Sequence, residues 1–228
     1  ANAFTLCDAY HCSMHTGTNS NRLFHWTGTN GPSGELSTGG LAGVASIDNT
    51  WENLKYPVTT DTDASAYGGN WKTYPEGLEE AKVNWIVYQN LPDNYTDNPL
   101  AGFKQYRAAS WASGKNKGGY DGDNSPPAGV TVPAYDPASD DVGNPLYKGV
   151  ANTMPDGGFL GTFKQDILNG KLRQVSWIVA PKTYSEHPSP SSPVQGAWYI
   201  QEVLDALTAV PEVWSKTVLL INYDENDG

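Results

Sequence analysis

Two adjacent acidic residues, Asp224 and Glu225, are the best candidates in this sequence for binding a metal ion. They follow Tyr223, at the end of an apolar run over residues 217–223. Neighbouring carboxylates repel each other unless a cation or a proton lies between them, and hard divalent cations prefer oxygen ligands. The pair therefore indicates a metal site, although an acidic helix cap or a solvated turn would show the same pattern.

A second candidate group lies in the polar segment 8–22, where hydroxyl groups stand beside imidazoles. The segment contains His11, Ser13, His15 and Thr16, and it ends at Arg22. A hydroxyl becomes a nucleophile when a base removes its proton or a metal holds its alkoxide, and arginine is a good partner for phosphoryl oxygens. The segment has the parts for chemistry on a phosphate, although an ordinary polar loop can have the same composition.

The third candidate is His187, the only histidine outside the first 25 residues. It lies in a polar stretch that follows an apolar segment, and loops at such places often carry function. An ordinary surface histidine remains the alternative.

Each of these three groups follows a segment that we predict to be a strand, over residues 3–7, 175–180 and 217–223. Helix-like segments alternate with such apolar strands, which favours an α/β fold with a mainly parallel sheet flanked by helices. Sites in such sheets form outside the carboxyl ends of the strands. We therefore expect Ser13, His187, Asp224 and Glu225 to meet in one cleft.

The remaining patterns predict further elements of a single domain over residues 1–228. Residues 110–153 are rich in Gly, Pro, Asp, Ser and Asn, which indicates a long, loop-rich surface insertion. Start signals, helical spacing and apolar content predict helices over 74–81, 159–168 and about 198–207, a strand over 83–88 and a further strand over 44–48.

Composition excludes some classes of function. The chain has 14 basic and 25 acidic residues, a net charge of −11, which disfavours binding to nucleic acids and to anionic membranes. No segment approaches the length of a transmembrane helix, and the first residues lack the features of a signal peptide. We expect a soluble chain and, because it lacks an initiator Met and stops just after an apolar strand, a fragment of a longer protein.

Cys7 and Cys12 allow three interpretations. They could be small buried residues, which we favour, they could form a local disulfide, or they could bind a metal, which we favour least.

Several blocks resemble the bacterial phospholipase C and acid phosphatase family. The string FTLCDAYHCS at 4–13, followed by NRLFHWTG at 21–28, is similar to that family's first block. Blocks at 175–181, 185–188, 214–217 and 223–228 follow in the same order, and the blocks at 85–89 and 93–100 resemble the branch specific for phosphocholine lipids.

The resemblance implies a fold similar to alkaline phosphatase and roles for individual residues. Ser13 falls where the family places its metal-bound hydroxyl nucleophile, with Thr16 as the second candidate. His187 matches a histidine near the phosphoryl group, and Asp224 with Glu225 matches the acidic pair that binds a divalent metal ion, whose identity the sequence does not indicate. The resemblance also implies a secreted or periplasmic protein.

The implied reaction is hydrolysis of phosphatidylcholine-type lipids to diacylglycerol and phosphocholine. The choline head group is a quaternary ammonium without donors, so only aromatic faces and carboxylates can hold it. Tyr95 and Asp97 are the expected head-group ligands and Arg22 a further substrate-binding residue, whereas Trp85 is expected to be core. Alternatives are an acid phosphatase on the same scaffold and a non-catalytic module that binds choline or carbohydrate. The sequence does not indicate an oligomeric state.

Overall fold

The computed structural model describes residues 4–31, 37–38, 41–42, 45–46, 49, 69–115 and 131–225. The described strands are β1 (Ser37–Thr38), β2 (Leu41–Ala42), β3 (Trp85–Tyr88) and β4 (Val175–Ile178). The described α-helices are α1 (Thr18–Thr27), α2 (Tyr74–Glu80), α3 (Lys104–Ser113), α4 (Pro137–Gly143), α5 (Gly161–Leu168), α6 (Pro193–Thr208) and α7 (Pro211–Trp214). Short 3₁₀ turns lie at Leu91–Asp93, Pro99–Gly102, Tyr147–Gly149 and Lys182–Tyr184.

Strands β3 and β4 pair in parallel, with Trp85 opposite Val175 and Tyr88 opposite Ile178. The connection between them carries α3, α4 and α5. Two of the predicted strands are thus confirmed, and so is their parallel direction. β1 and β2 form a separate two-stranded antiparallel ladder.

Both faces of β3 are buried, as expected for a strand between two layers. Trp85 and Val87 belong to one apolar cluster, which contains Leu23 and Trp26 of α1. Ile86 and Tyr88 belong to a second cluster, which contains residues of α5 and α6. Successive side chains of a strand point to opposite faces, so β3 joins the two clusters. The fully buried Trp85 confirms its prediction as core.

The residues that predict helix ends in the sequence form the expected caps and stops in the structure. The Glu76 carboxylate accepts from the backbone N–H of Thr73 at 2.8 Å, and Thr73 and Glu76 form a capping box at the start of α2. Helix α5 ends just before Gly170, which has a φ of +65°. The Ser192 hydroxyl accepts from the backbone of Gln195 and caps α6. The predicted helices 74–81, 159–168 and 198–207 are confirmed, with α6 beginning five residues earlier.

Two predicted strands are wrong for this chain. Residues 4–7 and 217–223 have no strand hydrogen bonds among the described residues. Val218 is 83% exposed and Leu220 is 75% exposed, so this apolar run lies largely in solvent. A strand forms only where a neighbouring strand accepts and donates its backbone hydrogen bonds, and no described segment does this here. Cys7 is exposed and Cys12 half-buried, and the two are not joined by a disulfide bond.

Part of the segment predicted as a surface insertion, residues 147–153, is buried. Tyr147 and Val150 are each 1% exposed and belong to the cluster around Trp85. Gly149 makes this packing possible, because a Cβ atom there would lie 3.0 Å from the rings of Trp85 and Tyr106. The segment has few apolar residues, but they reach the core. Residues 116–130 lie outside the described part.

The predicted strand at 44–48 falls mostly outside the described residues, and its two described positions, 45 and 46, are not in a strand. Among the helices that the structure describes, none is both long and apolar enough to cross a membrane.

Candidate functional site

The polar loop before α1 is fixed to the helix by the buried side chain of Asn21. Its Oδ1 accepts from the backbone N–H of Met14 at 2.8 Å, and its Nδ2 donates to the carbonyls of Met14 and Thr16 at 3.0 and 3.1 Å. These bonds satisfy a side chain that would be costly to bury alone. The loop that carries Ser13 and Thr16 therefore has a defined path into the first turn of α1.

Thr18, the first residue of α1, forms a hydrogen bond with Glu225 of the acidic pair. Its Oγ1 donates to Oε1 of Glu225 at 2.8 Å, across 207 residues of sequence. Thr18 is not among the residues predicted from the sequence, because helix α1 was not predicted. The spacing of Leu23 and Trp26, with Gly28 as the stop, is the signal that could have predicted this helix.

Arg22 lies one turn further along α1 and connects two carboxylates. Its Nε donates to Oδ2 of Asp224 at 3.1 Å, and its Nη2 lies 3.2 Å from Oδ2 of Asp97. Its Nη1 donates to the backbone carbonyl of Asp97 at 2.9 Å. Burial opposes the charge of the guanidinium, yet the two carboxylates outweigh it and raise the pKa of Arg22 above its ordinary value.

Asp97 is the buried member of this group, with 7% of the residue exposed. Burial raises the pKa of Asp97 to about 6, although Arg22 acts in the opposite direction. The negative charges of Asp224 and Glu225 raise it further. Asp97 is a costly carboxylate to keep charged, and its one close cation is Arg22 within the described residues.

The imidazole of His187 is held through its Nδ1 atom, which lies 2.7 Å from the carbonyl oxygen of Ser189. The carbonyl contact needs a proton on Nδ1, whereas the backbone N–H of Ser189, 3.3 Å from the same atom, needs Nδ1 as an acceptor. In either form Nε2 is the ring nitrogen that lies outside these contacts. Tyr95 donates its hydroxyl to the same carbonyl at 3.0 Å, and its ring meets the imidazole edge-on with centroids 5.2 Å apart. Tyr95 thus contacts His187. The backbone of Tyr95 has a φ of +54°.

The chain brings most of the predicted residues together. The Tyr223 hydroxyl donates to Oε1 of Glu186 at 3.3 Å, which places the acidic pair beside the His187 loop. Ser13 is exposed, and no hydrogen bond between described residues joins it to Asp224 or Glu225. Among the hydrogen bonds that the structure describes, it is the Thr18 hydroxyl that contacts the acidic pair.

Carboxylate and hydroxyl oxygens are the donors that a hard divalent cation needs, and Asp224, Glu225 and Thr18 supply them on one side. Within the described residues, no group of three or more His, Cys, Asp or Glu side chains is placed to bind a metal ion together. One Asp224 oxygen is already bound to Arg22. These residues fit part of a metal site and do not complete one.

Comparison with known proteins connects this geometry to a family. The Phosphoesterase family matches the chain over residues 1–228. A non-hemolytic phospholipase C of Pseudomonas aeruginosa is 47% identical over the whole chain, which covers 26% of that protein. A non-hemolytic phospholipase C of Burkholderia pseudomallei is 39% identical with 28% covered, and phospholipase C A of Mycobacterium tuberculosis is 32% identical with 35% covered. The chain spans about a quarter to a third of the length of these relatives.

Proposed function

The chain belongs to the phosphoesterase family, and from that premise we propose that it forms part of a phospholipase C that hydrolyses phosphatidylcholine-type lipids to diacylglycerol and phosphocholine. The observation that carries the proposal is the hydrogen bond from the Thr18 hydroxyl to the Glu225 carboxylate, in a segment that contacts the His187 loop through Tyr223 and Glu186. A nucleophile, a proton acceptor and a proton donor are the parts that cleavage of a phosphate ester uses.

The chemistry would proceed in two steps. Glu225 takes the proton of the Thr18 hydroxyl, whose oxygen attacks phosphorus while the bond to the glyceride oxygen breaks. His187, protonated at Nε2, gives its proton to the departing alkoxide, so diacylglycerol leaves as an alcohol. Water then attacks phosphorus while the bond to the Thr18 oxygen breaks, His187 accepts the water's proton, Glu225 returns its proton to the Thr18 oxygen, and phosphocholine is released. Ser13, with Thr16 behind it, stays the sequence-based alternative for the nucleophile.

A divalent cation is part of the proposal, with Asp224, Glu225 and the nucleophilic hydroxyl as its ligands from this chain. Such an ion would lower the pKa of the hydroxyl and offset charge on the phosphoryl oxygens. We also propose that β3 and β4 belong to an alkaline phosphatase-like sheet, and that the protein acts outside the cytoplasm, as the family resemblance implies.

The first prediction tests the substrate class. The full-length protein should hydrolyse p-nitrophenyl phosphocholine roughly five- to thirtyfold faster than p-nitrophenyl phosphate, because a well-placed aromatic ring contributes about 1–2 kcal/mol to holding a quaternary ammonium. Comparing kcat/KM for the two substrates measures this preference. Equal values would favour an acid phosphatase, and no hydrolysis of either would favour a non-catalytic binding module.

The second prediction separates two roles for Tyr95. If its ring holds choline, Tyr95→Phe keeps the ring face and should leave the substrate preference unchanged, whereas Tyr95→Ala narrows it. If its hydroxyl positions His187 as a proton donor, Tyr95→Phe should lower kcat for phosphatidylcholine about three- to tenfold with KM unchanged. The contact between Tyr95 and the Ser189 carbonyl leads us to expect the second result. A wild-type kcat in Tyr95→Phe would contradict it.

A further inference from the structure

We propose that Arg22 is a positioning residue that holds Asp224 in place with the help of Asp97, and that it does not bind the phosphoryl group of the substrate. This inference rests on the proposed function, because it assigns roles within the same site. It replaces the substrate-binding roles that the sequence predicts for Arg22 and Asp97.

The nitrogens of the Arg22 guanidinium already have acceptors within the protein. Each of its three nitrogens has an acceptor within 3.2 Å: Nε on the Asp224 carboxylate, Nη1 on the Asp97 carbonyl and Nη2 on the Asp97 carboxylate. Arginine recognises phosphate by offering two parallel N–H groups. Only the second N–H of each Nη is left for a phosphoryl group, and any pairing that uses Nε would have to displace the Asp224 carboxylate.

The charges around Arg22 also disfavour a phosphate. Asp97 and Asp224 both contact it, so the two carboxylates together exceed its single positive charge. An anionic phosphoryl group at the guanidinium would meet two like charges at close range, one of them buried where repulsion is weakly screened. The positive charge of Arg22 therefore balances the carboxylates of Asp97 and Asp224.

Asp97 is a firm anchor for this contact because its loop is tied to the sheet. The buried Oε1 of Gln89, directly after β3, accepts from the side-chain amides of Asn94 and Asn98 at 3.0 and 2.9 Å. The backbone N–H of Asp97 donates to the carbonyl of Asn94 at 3.0 Å. A loop held by buried amide bonds has little freedom, so the position of Asp97 follows that of β3.

Helix α1 connects Asp97 to the acidic pair, Asp224 and Glu225. Thr18 and Arg22 are four residues apart and therefore lie on one face of the helix. From that face Thr18 contacts Glu225 and Arg22 contacts Asp224. One turn of α1 thus contacts the carboxylates of both Asp224 and Glu225. The buried Asp97 fixes the position of the Arg22 guanidinium that contacts Asp224.

A double-mutant cycle in the full-length protein tests the inference. Arg22→Gln should lower kcat for p-nitrophenyl phosphocholine about thirtyfold or more, with KM within about threefold. Asp97→Asn should also lower kcat, and the double variant should be no worse than Arg22→Gln alone, because both residues act through one contact. Arg22→Lys should not restore activity, since a single ammonium cannot hold both carboxylates.

A phosphate-binding role gives opposite results and would overturn the inference. Arg22→Gln would then raise KM and the inhibition constant of inorganic phosphate about tenfold, and Arg22→Lys would partly restore both. Asp97→Asn would free the guanidinium and tighten phosphate binding. The matched control is Lys164→Gln, which removes a partly exposed ion pair with Glu202 on the other apolar cluster and should leave all constants unchanged.

Thermal unfolding of the same variants separates this inference from the proposed function. If the wild-type protein hydrolyses neither substrate, the proposed function fails, but the cycle can still be read in Tm. Coupling between Arg22→Gln and Asp97→Asn in Tm supports the contact without reference to turnover. Additive changes in Tm would contradict it.

Discussion

Thr18→Ala in the full-length protein is expected to lower kcat for p-nitrophenyl phosphocholine by at least about a thousandfold, because a nucleophile is needed for the chemical step itself. Its hydroxyl is 2.8 Å from the Glu225 carboxylate, which can accept the proton that attack on phosphorus releases. Thr18→Ser, which keeps the hydroxyl, should retain much of the activity.

Ser13→Ala and Thr16→Ala are the matched controls, because the sequence resemblance places the nucleophile at Ser13 or, failing that, at Thr16. If Ser13→Ala abolishes turnover and Thr18→Ala does not, the sequence-based assignment is correct and the Thr18 contact is structural. Thr18→Val, which keeps the shape of the side chain, shows whether any loss comes from the missing hydroxyl. Tm values near wild type would exclude unfolding as the cause.

The three candidate hydroxyls show how far the sequence could predict the site. Residue types and their order along the chain pointed to the loop before α1, to His187 and to the acidic pair. They could not decide which hydroxyl reaches Glu225, because that depends on where α1 begins. Helix α1 was missed since its first residues, Asn19, Ser20 and Asn21, are polar yet buried, which hides the usual apolar spacing.

The fold was predictable where signals are local. The Thr73–Glu76 capping box and Gly170 mark helix ends by contacts within a few residues, and the helices that they bound were predicted at 74–81 and 159–168. Failures occurred where a segment depends on distant partners. The run at 217–223 has the apolar content of a buried strand, but its burial requires a neighbouring strand, which composition cannot supply.

The role of Asp97 illustrates the same limit at the site. A carboxylate near Tyr95 is consistent with binding a cationic head group, and the sequence offered no reason to prefer another partner. The structure places Asp97 among buried amides with Arg22, a residue 75 positions away, as its partner. Burial changes the expected role, because a buried carboxylate already paired with a guanidinium gains little from a second cation.

The second large effect is expected for His187→Asn with a lipid substrate. The asparagine amide keeps a donor near the place of Nδ1, which contacts the Ser189 carbonyl, and removes Nε2. An alkoxide leaves a phosphorus centre poorly without a proton, so loss of a general acid should lower kcat for phosphatidylcholine about a hundredfold or more. p-Nitrophenolate leaves readily without a proton, so kcat for p-nitrophenyl phosphocholine should fall by less than about tenfold.

This contrast between leaving groups distinguishes the two roles that the geometry allows for His187. A histidine that holds a phosphoryl oxygen stabilises the same charge in both reactions, so its loss would slow both substrates equally. A histidine that donates a proton matters only where the leaving group needs one. Measuring kcat for both substrates with the wild-type protein and His187→Asn therefore assigns the role, and equal losses would remove the proton-donor step from the proposed mechanism. Because Tyr95 contacts the same Ser189 carbonyl, Tyr95→Phe should produce a weaker version of whichever pattern His187→Asn shows.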